Sequence, residues 1–457
     1  MTAVIVLAAG EGRRMHSHRA KVLHPVGGVA MLDHVLTTVD RLAVDHRVVV
    51  VGPGADAVEA LVGDRAAVVV QAERRGTGDA VARALAALPA SVDRVLVLHG
   101  DAPLVPAAML ETLLEEPVPG QCAAVLVTVS VDNPTGYGRI VRSPEGSIIR
   151  VCEEREAGPA ERAITEINTG VGLWDRAALA DILEALPMHH GEQYLPDALE
   201  PLLSAGRRVG TLRAADPRRF WGVNTRAQLA AVEAVQRELT LQRLMDGGVT
   251  IIDPAATYVD AAVEVGMDTI IYPGTVLRGR TVVGEQAEIG PHTEIIDSLV
   301  GDHGVVRHAV VEQSHLEAHV HVGPFSHCRV GTYLERDVHV GNYVELKNAR
   351  MGLGSKAGHH CYLGDVSIGS HVNIGAGAVI VNYDGEQKHH SFIGDDAFIG
   401  CNANLVAPVE VGRGAYVAAG STVTHNVPAD SLAIARSRQE NKPDWASHRG
   451  LAGKLRR

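Results

Sequence analysis

Between Val259 and Val423 the chain keeps a six-residue beat that neither an ordinary helix nor an ordinary sheet can satisfy. Val259, Val265, Ile271, Leu277, Val283, Ile289 and Ile295 recur at that interval. The beat returns at Val322, Cys328, Leu334, Val340 and Leu346, and again at Ile393, Ile399, Leu405, Val411, Val417 and Val423. The small residues Thr269, Thr275, Thr281, Ala287 and Thr293 each follow an aliphatic residue by four positions, and glycine often follows it directly, as in Val283-Gly284 and Ile399-Gly400. A helix repeats every 3.6 residues and a strand every two. A period of six marks a parallel β-helix, in which each coil buries its aliphatic residues only by stacking on its neighbours. If three hexapeptides make one coil, the ~175 residues predict roughly ten coils stacked at about 4.8 Å. The twelve residues Val381–Phe392 interrupt the beat between Ile380 and Ile393. They are predicted to project as a loop, and such loops often mark the binding face of a solenoid.

The first half has a different rhythm. Val4–Ala8, Val48–Val51, Ala67–Gln71, Val95–Leu98 and Ala124–Val131 are aliphatic runs of the buried, parallel-sheet type, separated by helical segments at Met31–Leu42, Asp79–Leu88 and Ala107–Glu116. Strand and helix in alternation predict a three-layer α/β domain, whose informative loops follow the carboxyl ends of the strands. From Asn224 to about Met245 a polar-apolar helix with the stripe Leu229, Val232, Val235, Leu239 and Leu244 ends at Gly247-Gly248, which reads as a linker helix.

Composition excludes several classes of function. With 42 basic and 54 acidic residues the formal net charge is −12, which argues against a dedicated nucleic-acid binder. No window approaches the ~18 consecutive apolar residues of a membrane span, and the apolar start from Ala3 to Ala9 lacks the positive lead of a signal peptide. Cys122, Cys152, Cys328, Cys361 and Cys401 form no C-x-x-C pair. The expectation is a soluble, reduced, cytoplasmic protein with an aliphatic core.

After the first strand comes Leu7-Ala8-Ala9-Gly10-Glu11-Gly12-Arg13-Arg14-Met15, with Lys21 six residues on. A dinucleotide fingerprint would need glycine where Met15 stands, and no G-K-[ST] of a P-loop follows. A G-x-G alone is compatible with a plain turn. Here, however, Arg13, Arg14, Arg19 and Lys21 crowd a few positions of an acidic chain, and glycine amides beside cations suit a polyphosphate. Asp101, in His99-Gly100-Asp101 after an apolar strand, is placed either to start a turn or to ligate Mg²⁺, which takes one or two protein oxygens plus waters and phosphates.

These motifs, with Lys21-Val22-Leu23, Gln71-Ala72-Glu73, Gly76-Thr77-Gly78, Pro134-Thr135-Gly136-Tyr137-Gly138-Arg139, Glu166-Ile167-Asn168-Thr169-Gly170 and Gly222-Val223-Asn224, resemble those of sugar-1-phosphate nucleotidyltransferases. With the hexapeptide half, the whole chain resembles the family of bifunctional bacterial N-acetylglucosamine-1-phosphate uridyltransferases / glucosamine-1-phosphate N-acetyltransferases. The resemblance implies a Rossmann-like α/β nucleotidyltransferase domain with a mixed sheet (1–225), a linker helix (226–246) and a left-handed parallel β-helix (247–457). It further implies synthesis of UDP-N-acetylglucosamine for cell-envelope polymers, a homotrimer formed through the β-helix, and small-molecule substrates rather than nucleic acid. Leu7, Ala8, Ala9 and Gly10 with Gln71, Gly76 and Thr77 would hold the uridine part of UTP, and Arg14 and Lys21 its phosphates. His99 and Gly100 would flank that site. Gly138, Glu153, Asn168 and Thr169 would hold the acetamido sugar, and Asp101 with Asn224 would ligate Mg²⁺. His99 stands where the family often has Tyr, and Arg13 where it usually has Thr.

In the second half, a lone histidine among 23 says little. His359 stands out through its sequence neighbours Glu345-Leu346-Lys347, Tyr362-Leu363-Gly364-Asp365, Asn373 and Asn382-Tyr383, and imidazole suits a general base for a sugar amine. The resemblance makes His359 that base, with Arg329 and Lys347 on the sugar phosphate and Tyr362 and Asn373 on sugar hydroxyls. Ala376, Asn382, Tyr383, Cys401, Ala419 and Arg436 would lie along acetyl-CoA, and the loop Val381–Phe392 would pack over the neighbouring cofactor site. The family's R-x-R-P reads His327-Cys328-Arg329-Val330, and Cys401 replaces a serine. A nucleotidyltransferase whose β-helix only assembles subunits is the alternative. It leaves His359, Lys347, Tyr362, Asn373 and Asn382-Tyr383 without a role. A solenoid without catalysis would leave Lys21, Asp101, Asn224 and the glycine loops unexplained together.

Overall fold

The computed structural model describes residues 1–118, 122–189 and 191–451. The chain divides into two compact units. The first is Met1–Thr240 with Asp260–Ala262; the second is Leu241–Val259 with the chain from Val263 onward. Residues 452–457 of the expected 247–457 domain lie outside the described residues.

In the first unit the strand Thr2–Ala8 lies in the interior of the sheet. In spatial order the strands are Val209–Arg213, Ala124–Ser130, Glu166–Asp175, Arg94–His99, Thr2–Ala8, His46–Val51 and Ala67–Val70. The central strand is aliphatic on both faces and buried on both. Val4 and Val6 pack with Leu32 and Leu36 of the helix Met31–Asp40, whereas Ala3 and Ile5 pack with Val81 and Leu85 of the helix Thr77–Ala87. From this strand the chain builds outward to Ala67–Val70, then crosses back to place Arg94–His99 on the other side. That reversal opens a crevice at the carboxyl ends of Thr2–Ala8 and Arg94–His99, which is where open α/β sheets bind ligands.

Two expectations are corrected. Ala67–Val70 is an edge strand, and Val70 is 47% exposed rather than buried. Glu166–Asp175, read from sequence only as a motif, is a ten-residue strand inside the sheet, antiparallel to both Arg94–His99 and Ala124–Ser130. The polar run Asn168-Thr169-Gly170 hides its strand pattern, and the register shifts between Asn168 and Gly172. A hairpin of Arg139–Arg142 and Ile148–Cys152 attaches to it through Ile167 and Arg139.

The helix Arg226–Asp246 buries Val232, Val235, Leu241 and Leu244, with Leu229 and Leu239 half-buried. Beyond it, among the described residues, every pairing between the named strands is parallel, from Thr250↔Ile270 to Tyr416↔Leu432. Eleven strands form one sheet, in which Ile251, Ile271, Ile289, Val306, Val322, Val340, Ala357, Ile374, Ile399, Val417 and Ala433 stack in register. The remaining strands form a continuous seventeen-stranded sheet that covers the other sides. The small residues close the coils. Thr269 Oγ1 donates to the Gly284 carbonyl at 2.8 Å, Thr275 to Tyr272 and Thr281 to Arg278, each at 2.7 Å. Buried hydroxyls of this kind need such partners.

Candidate active sites

The crevice of the first unit is lined by the glycine loop, and its cavity of about 770 Å³ is also bordered by Lys21, Gln71, Gly76, Thr77, His99, Asp101 and Asn224. Leu7, Ala8, Ala9, Gly10 and Arg14 line the same cavity. The loop must pass close to the Lys21 stem. Gly12 has φ of +69°, and a Cβ there would lie 2.7 Å from Lys21 Cβ. Gly100 serves the same closeness between strands: its N–H donates to the Leu7 carbonyl at 2.9 Å, and a Cβ would lie 3.3 Å from that oxygen.

Gln71 is buried, and its amide nitrogen donates to the Gly76 carbonyl at 3.0 Å and to Asp79 at 2.7 Å. Its amide oxygen is thereby left as the free acceptor. Gly76, at φ +94°, runs against Gln193, while Thr77 Oγ1 accepts the Leu195 N–H at 2.9 Å.

Lys21 Nζ donates to the Asp101 carboxylate in a short ion pair and to Asn224 Oδ1 at 3.1 Å. Burial pushes the Asp101 carboxyl up. The Lys21 and His99 charges and the Lys21 hydrogen bond outweigh that and hold it below the ordinary carboxylate range. Burial, and then the Lys21 charge, lowers His99 against the opposing pull of Asp101. Asn224 is positioned by Gln228, which accepts its N–H at 2.8 Å, and by Val223, whose N–H donates to the Asp101 carbonyl at 3.0 Å.

A second cavity of about 300 Å³ continues from this one and is lined by Gly138, Glu153, Asn168 and Thr169 together with His99, Asp101 and Asn224. Its walls are tied together. The Asn168 N–H donates to the Gly138 carbonyl at 2.8 Å, and Asn168 Oδ1 accepts the Gly170 N–H at 3.2 Å, which leaves the amide NH₂ to donate. Thr169 Oγ1 donates to the Val127 carbonyl at 2.8 Å, so this hydroxyl shapes the wall rather than offering its proton. Glu153 is raised by burial and then by the like charges of Asp197 and Glu156. Arg139, fully buried, donates to the Tyr137 carbonyl and to Glu154, and Glu154 accepts the Gly136 N–H at 3.1 Å.

In the β-helix, the sequence-predicted residues fall into two groups. His359 ends the strand Lys356–His359, opposite Asn342, and His360 turns the corner at φ +49°. Gly377 N–H donates to the His359 carbonyl at 3.4 Å, Asn402 N–H to Ala376 at 2.7 Å and Gly420 N–H to Cys401 at 2.8 Å. His359, Ala376, Cys401 and Ala419 therefore stand in single file on successive coils. Arg436 extends the file, its Cδ lying 3.7 Å from a Cβ built on Gly420.

The other group is basic. Arg329 and Lys347 lie on adjacent strands, with Arg329 N–H on the Leu346 carbonyl at 2.9 Å. Lys388, by hydrogen bond and charge, and then Arg329, push the Lys347 ammonium below its ordinary range. Asp365 accepts Asn348 Nδ2 at 2.7 Å and Asn382 Nδ2 at 2.5 Å. Tyr362 lies beside this group, opposite Glu345, whose carboxylate accepts Arg329 at 2.7 Å. Tyr383 is exposed in the inserted hairpin, bridged to Lys388. Asn373 stands apart, on the eleven-stranded sheet in register with Lys356 and Phe398.

Comparison with known proteins fits this geometry. The model of the MobA-like NTP transferase domain matches residues 4–215, and that of the bacterial transferase hexapeptide (six repeats) matches 390–425. A protein of an Exiguobacterium species named "Bifunctional protein GlmU" is 46% identical over 443 residues, covering 96% of this chain and 98% of its own. Proteins of the same name from a Geobacillus species, at 45% over 443 residues, and from Brevibacillus brevis, at 44% over 452, cover 96% and 98% of this chain and 96% and 98% of their own.

The chain belongs to the GlmU family. It is a transferase with an NTP-transferase domain and a hexapeptide β-helix. Sequence reasoning missed three neighbours of the candidate positions in this GlmU-family chain, Asp79 behind Gln71, Asp197 beside Glu153 and Lys388 beside Lys347, and it quoted Arg139 in a motif without giving it the role of holding the Tyr137 carbonyl. Lys388 carried a usable signal, since it is a cation inside the one insertion of the solenoid. The others reach the site through space from distant or hidden positions.

Proposed function

We propose that this GlmU-family chain makes UDP-N-acetylglucosamine by two transfers at two separate sites, in the cytoplasm and as a homotrimer assembled through the β-helix. Acetyl-CoA first acetylates glucosamine-1-phosphate, and UTP then uridylylates N-acetylglucosamine-1-phosphate with release of pyrophosphate. The product supplies cell-envelope polymers. The observation that carries the reading is the convergence of the glycine loop, Lys21, Asp101 and Asn224 at one crevice, next to a sugar-sized cavity lined by Glu153 and Asn168.

In the first unit the Gln71 amide oxygen is free to accept from a uracil N–H, while the loop from Leu7 to Gly10 with Gly76 and Thr77 encloses the base. Arg14 and Lys21 hold phosphate oxygens. Glu153 and the Asn168 amide hold the sugar, aiming its phosphate at the α-phosphorus. Alignment and charge neutralisation suffice for such a transfer, and no protein nucleophile is needed. Asp101 and Asn224 fit magnesium, because their oxygens already converge on one cation, the Lys21 ammonium. When bound, the metal would offset charge on the triphosphate and the departing pyrophosphate.

In the β-helix, Arg329, Lys347 and Lys388 supply the positive pocket for a sugar phosphate, and Tyr362 and Asn373 its hydroxyl contacts. His359 takes the proton from the amine as it attacks the thioester. Ala376, Cys401, Ala419 and Arg436 run from His359 along about four coil steps, or ~19 Å, a length suited to an extended pantetheine arm. Asn373 lies on a different sheet from Lys347, which supports a site completed by a neighbouring chain, with Asn382 and Tyr383 contributed by the inserted loop. The test is one assay with UTP, glucosamine-1-phosphate, acetyl-CoA and Mg²⁺, following free thiol and pyrophosphate separately. Both should appear, thiol release preceding pyrophosphate. Pyrophosphate without thiol would leave the β-helix as an assembly module only.

A further inference from the structure

We infer that the Lys21 ammonium is the resident occupant of the divalent-cation position, and that nucleotide opens this position to metal by drawing Lys21 onto its phosphates. The inference rests on the assignment of Asp101 and Asn224 as the metal pair. Lys21 Nζ donates to both of their side-chain oxygens, and the Lys21 and Asp101 side chains are only 11% and 16% exposed. A magnesium ion bound to those oxygens at about 2.0–2.1 Å would occupy the point where the ammonium now sits. The two cations exclude each other by volume, and the low exposure strengthens their repulsion.

The lysine has somewhere to go. Its stem lies across the glycine loop: a Cβ on Gly12 would lie 2.7 Å from Lys21 Cβ, and one on Gly10 would lie 3.6 Å from Nζ. Gly10, Arg14, Lys21 and Asp101 line one cavity, so Nζ already borders the space over the glycine loop that a triphosphate would take. There a triphosphate would replace the carboxylate as its partner. Every charge keeps a counter-charge through that exchange, with ammonium moving to phosphate and metal moving to carboxylate. Metal entering without nucleotide would instead strand the ammonium beside a dication. Arg14, the other phosphate-facing cation, makes no such contact with Asp101, so the exchange is specific to Lys21.

The consequence is a coupling between metal and nucleotide affinity that a single charge carries, and linkage makes it reciprocal. The test uses the full-length protein and Mn²⁺ as a spectroscopic probe, with free Mn²⁺ followed by electron paramagnetic resonance. Wild type, Lys21→Gln, Lys21→Arg and Asp101→Asn are titrated with and without UTP, and each is checked for fold by its thermal midpoint. Without nucleotide, Lys21→Gln should bind Mn²⁺ at least ~10-fold more tightly than wild type, within the range usual for such coupling. Lys21→Arg, which keeps the charge, should bind as weakly as wild type. Equal or weaker Mn²⁺ binding by Lys21→Gln overturns the inference, as does tight nucleotide-free binding by wild type. The assignment beneath it is read separately. Asp101→Asn should reduce Mn²⁺ binding in the presence of UTP to what UTP alone binds in a protein-free control, and if it does not, the metal pair itself is misassigned and the inference falls with it.

Discussion

Gly364→Ala tests the proposed acetyl-transfer site by geometry alone. Gly364 lies in the strand Tyr362–Ile368, paired with Lys347 on the coil before, and its backbone is not in the left-handed region. Alanine is therefore free of backbone strain there. An added Cβ would nevertheless lie 2.6 Å from the Tyr362 hydroxyl and 2.7 Å from Asn382 Nδ2. Ordinary van der Waals contact begins near 3.4 Å, so both polar ends must retreat by most of an ångström. A displacement of about 1 Å at a positioning group costs as much as ~10²-fold. The expected loss is ~10–100-fold in kcat/KM for glucosamine-1-phosphate, about 1.4–2.7 kcal/mol of transition-state stabilisation. The assay is thiol release under saturating acetyl-CoA, with pyrophosphate release from N-acetylglucosamine-1-phosphate and UTP as the internal control. Thiol release within twofold of wild type would refute the placement of Tyr362 at the sugar and of Asn382 along acetyl-CoA. Loss of both activities would show that the coil, not the site, had been damaged.

Four further outcomes follow from the same structure. Asp101→Ala should collapse uridylyl transfer and leave acetyl transfer intact, since electrostatic terms of this kind carry several kcal/mol of barrier; equal damage to both reactions would defeat the independence of the sites. His359→Ala should cost ~10²–10⁴-fold in acetyl transfer, with partial recovery at higher pH as the amine loses its proton unaided; a flat pH profile in the variant argues against a base role. Burial and the charges of Asp197 and Glu156 raise Glu153, so sugar binding should weaken as pH falls through a point above the ordinary glutamate range. Asp197→Asn removes one like charge and should move that acid limb to lower pH, and an unmoved limb excludes the coupling. Cys401 is exposed in the file that starts at His359, so thiol reagents should inhibit acetyl transfer, acetyl-CoA should protect, and Cys401→Ser should abolish the sensitivity.

In the first unit, the residues legible in sequence are those whose chemistry sits at the end of a strong aliphatic run. Thr2–Ala8 and Arg94–His99 announce themselves, and the motifs after them carry Gly10, Lys21 and Asp101 into one crevice. The strand Glu166–Asp175 did not, because its first half must present Asn168 and Thr169 to the cavity and so cannot be aliphatic. Arg139 and Asp197 act through space. Arg139 is fully buried beneath a loop whose carbonyl it holds, and a buried arginine has no pattern of its own in a sequence.

The β-helix shows why period alone cannot give a site. The six-residue beat lapses between Ile295 and Val322, although the stacking continues unbroken through Val300, Val306, Val311 and Leu316. Several sides there are five residues long, as from Ile295 to Val300 and from Val311 to Leu316, and the coil closes on either length. A constant spacing of 18 therefore misplaces residues after only a few coils. The file His359, Ala376, Cys401 and Ala419 has intervals of 17, 25 and 18, yet each member meets the next across one coil. The long interval holds the insertion, and pairing resumes around it without slipping: Ile368 meets Ile393, and Ile380 meets Leu405. The loop thus leaves the stack unshifted while placing Lys388 beside Lys347. The insertion adds a cation beside Arg329 and Lys347 without moving the file that starts at His359, because register is fixed by the buried aliphatic ladder and not by chain length.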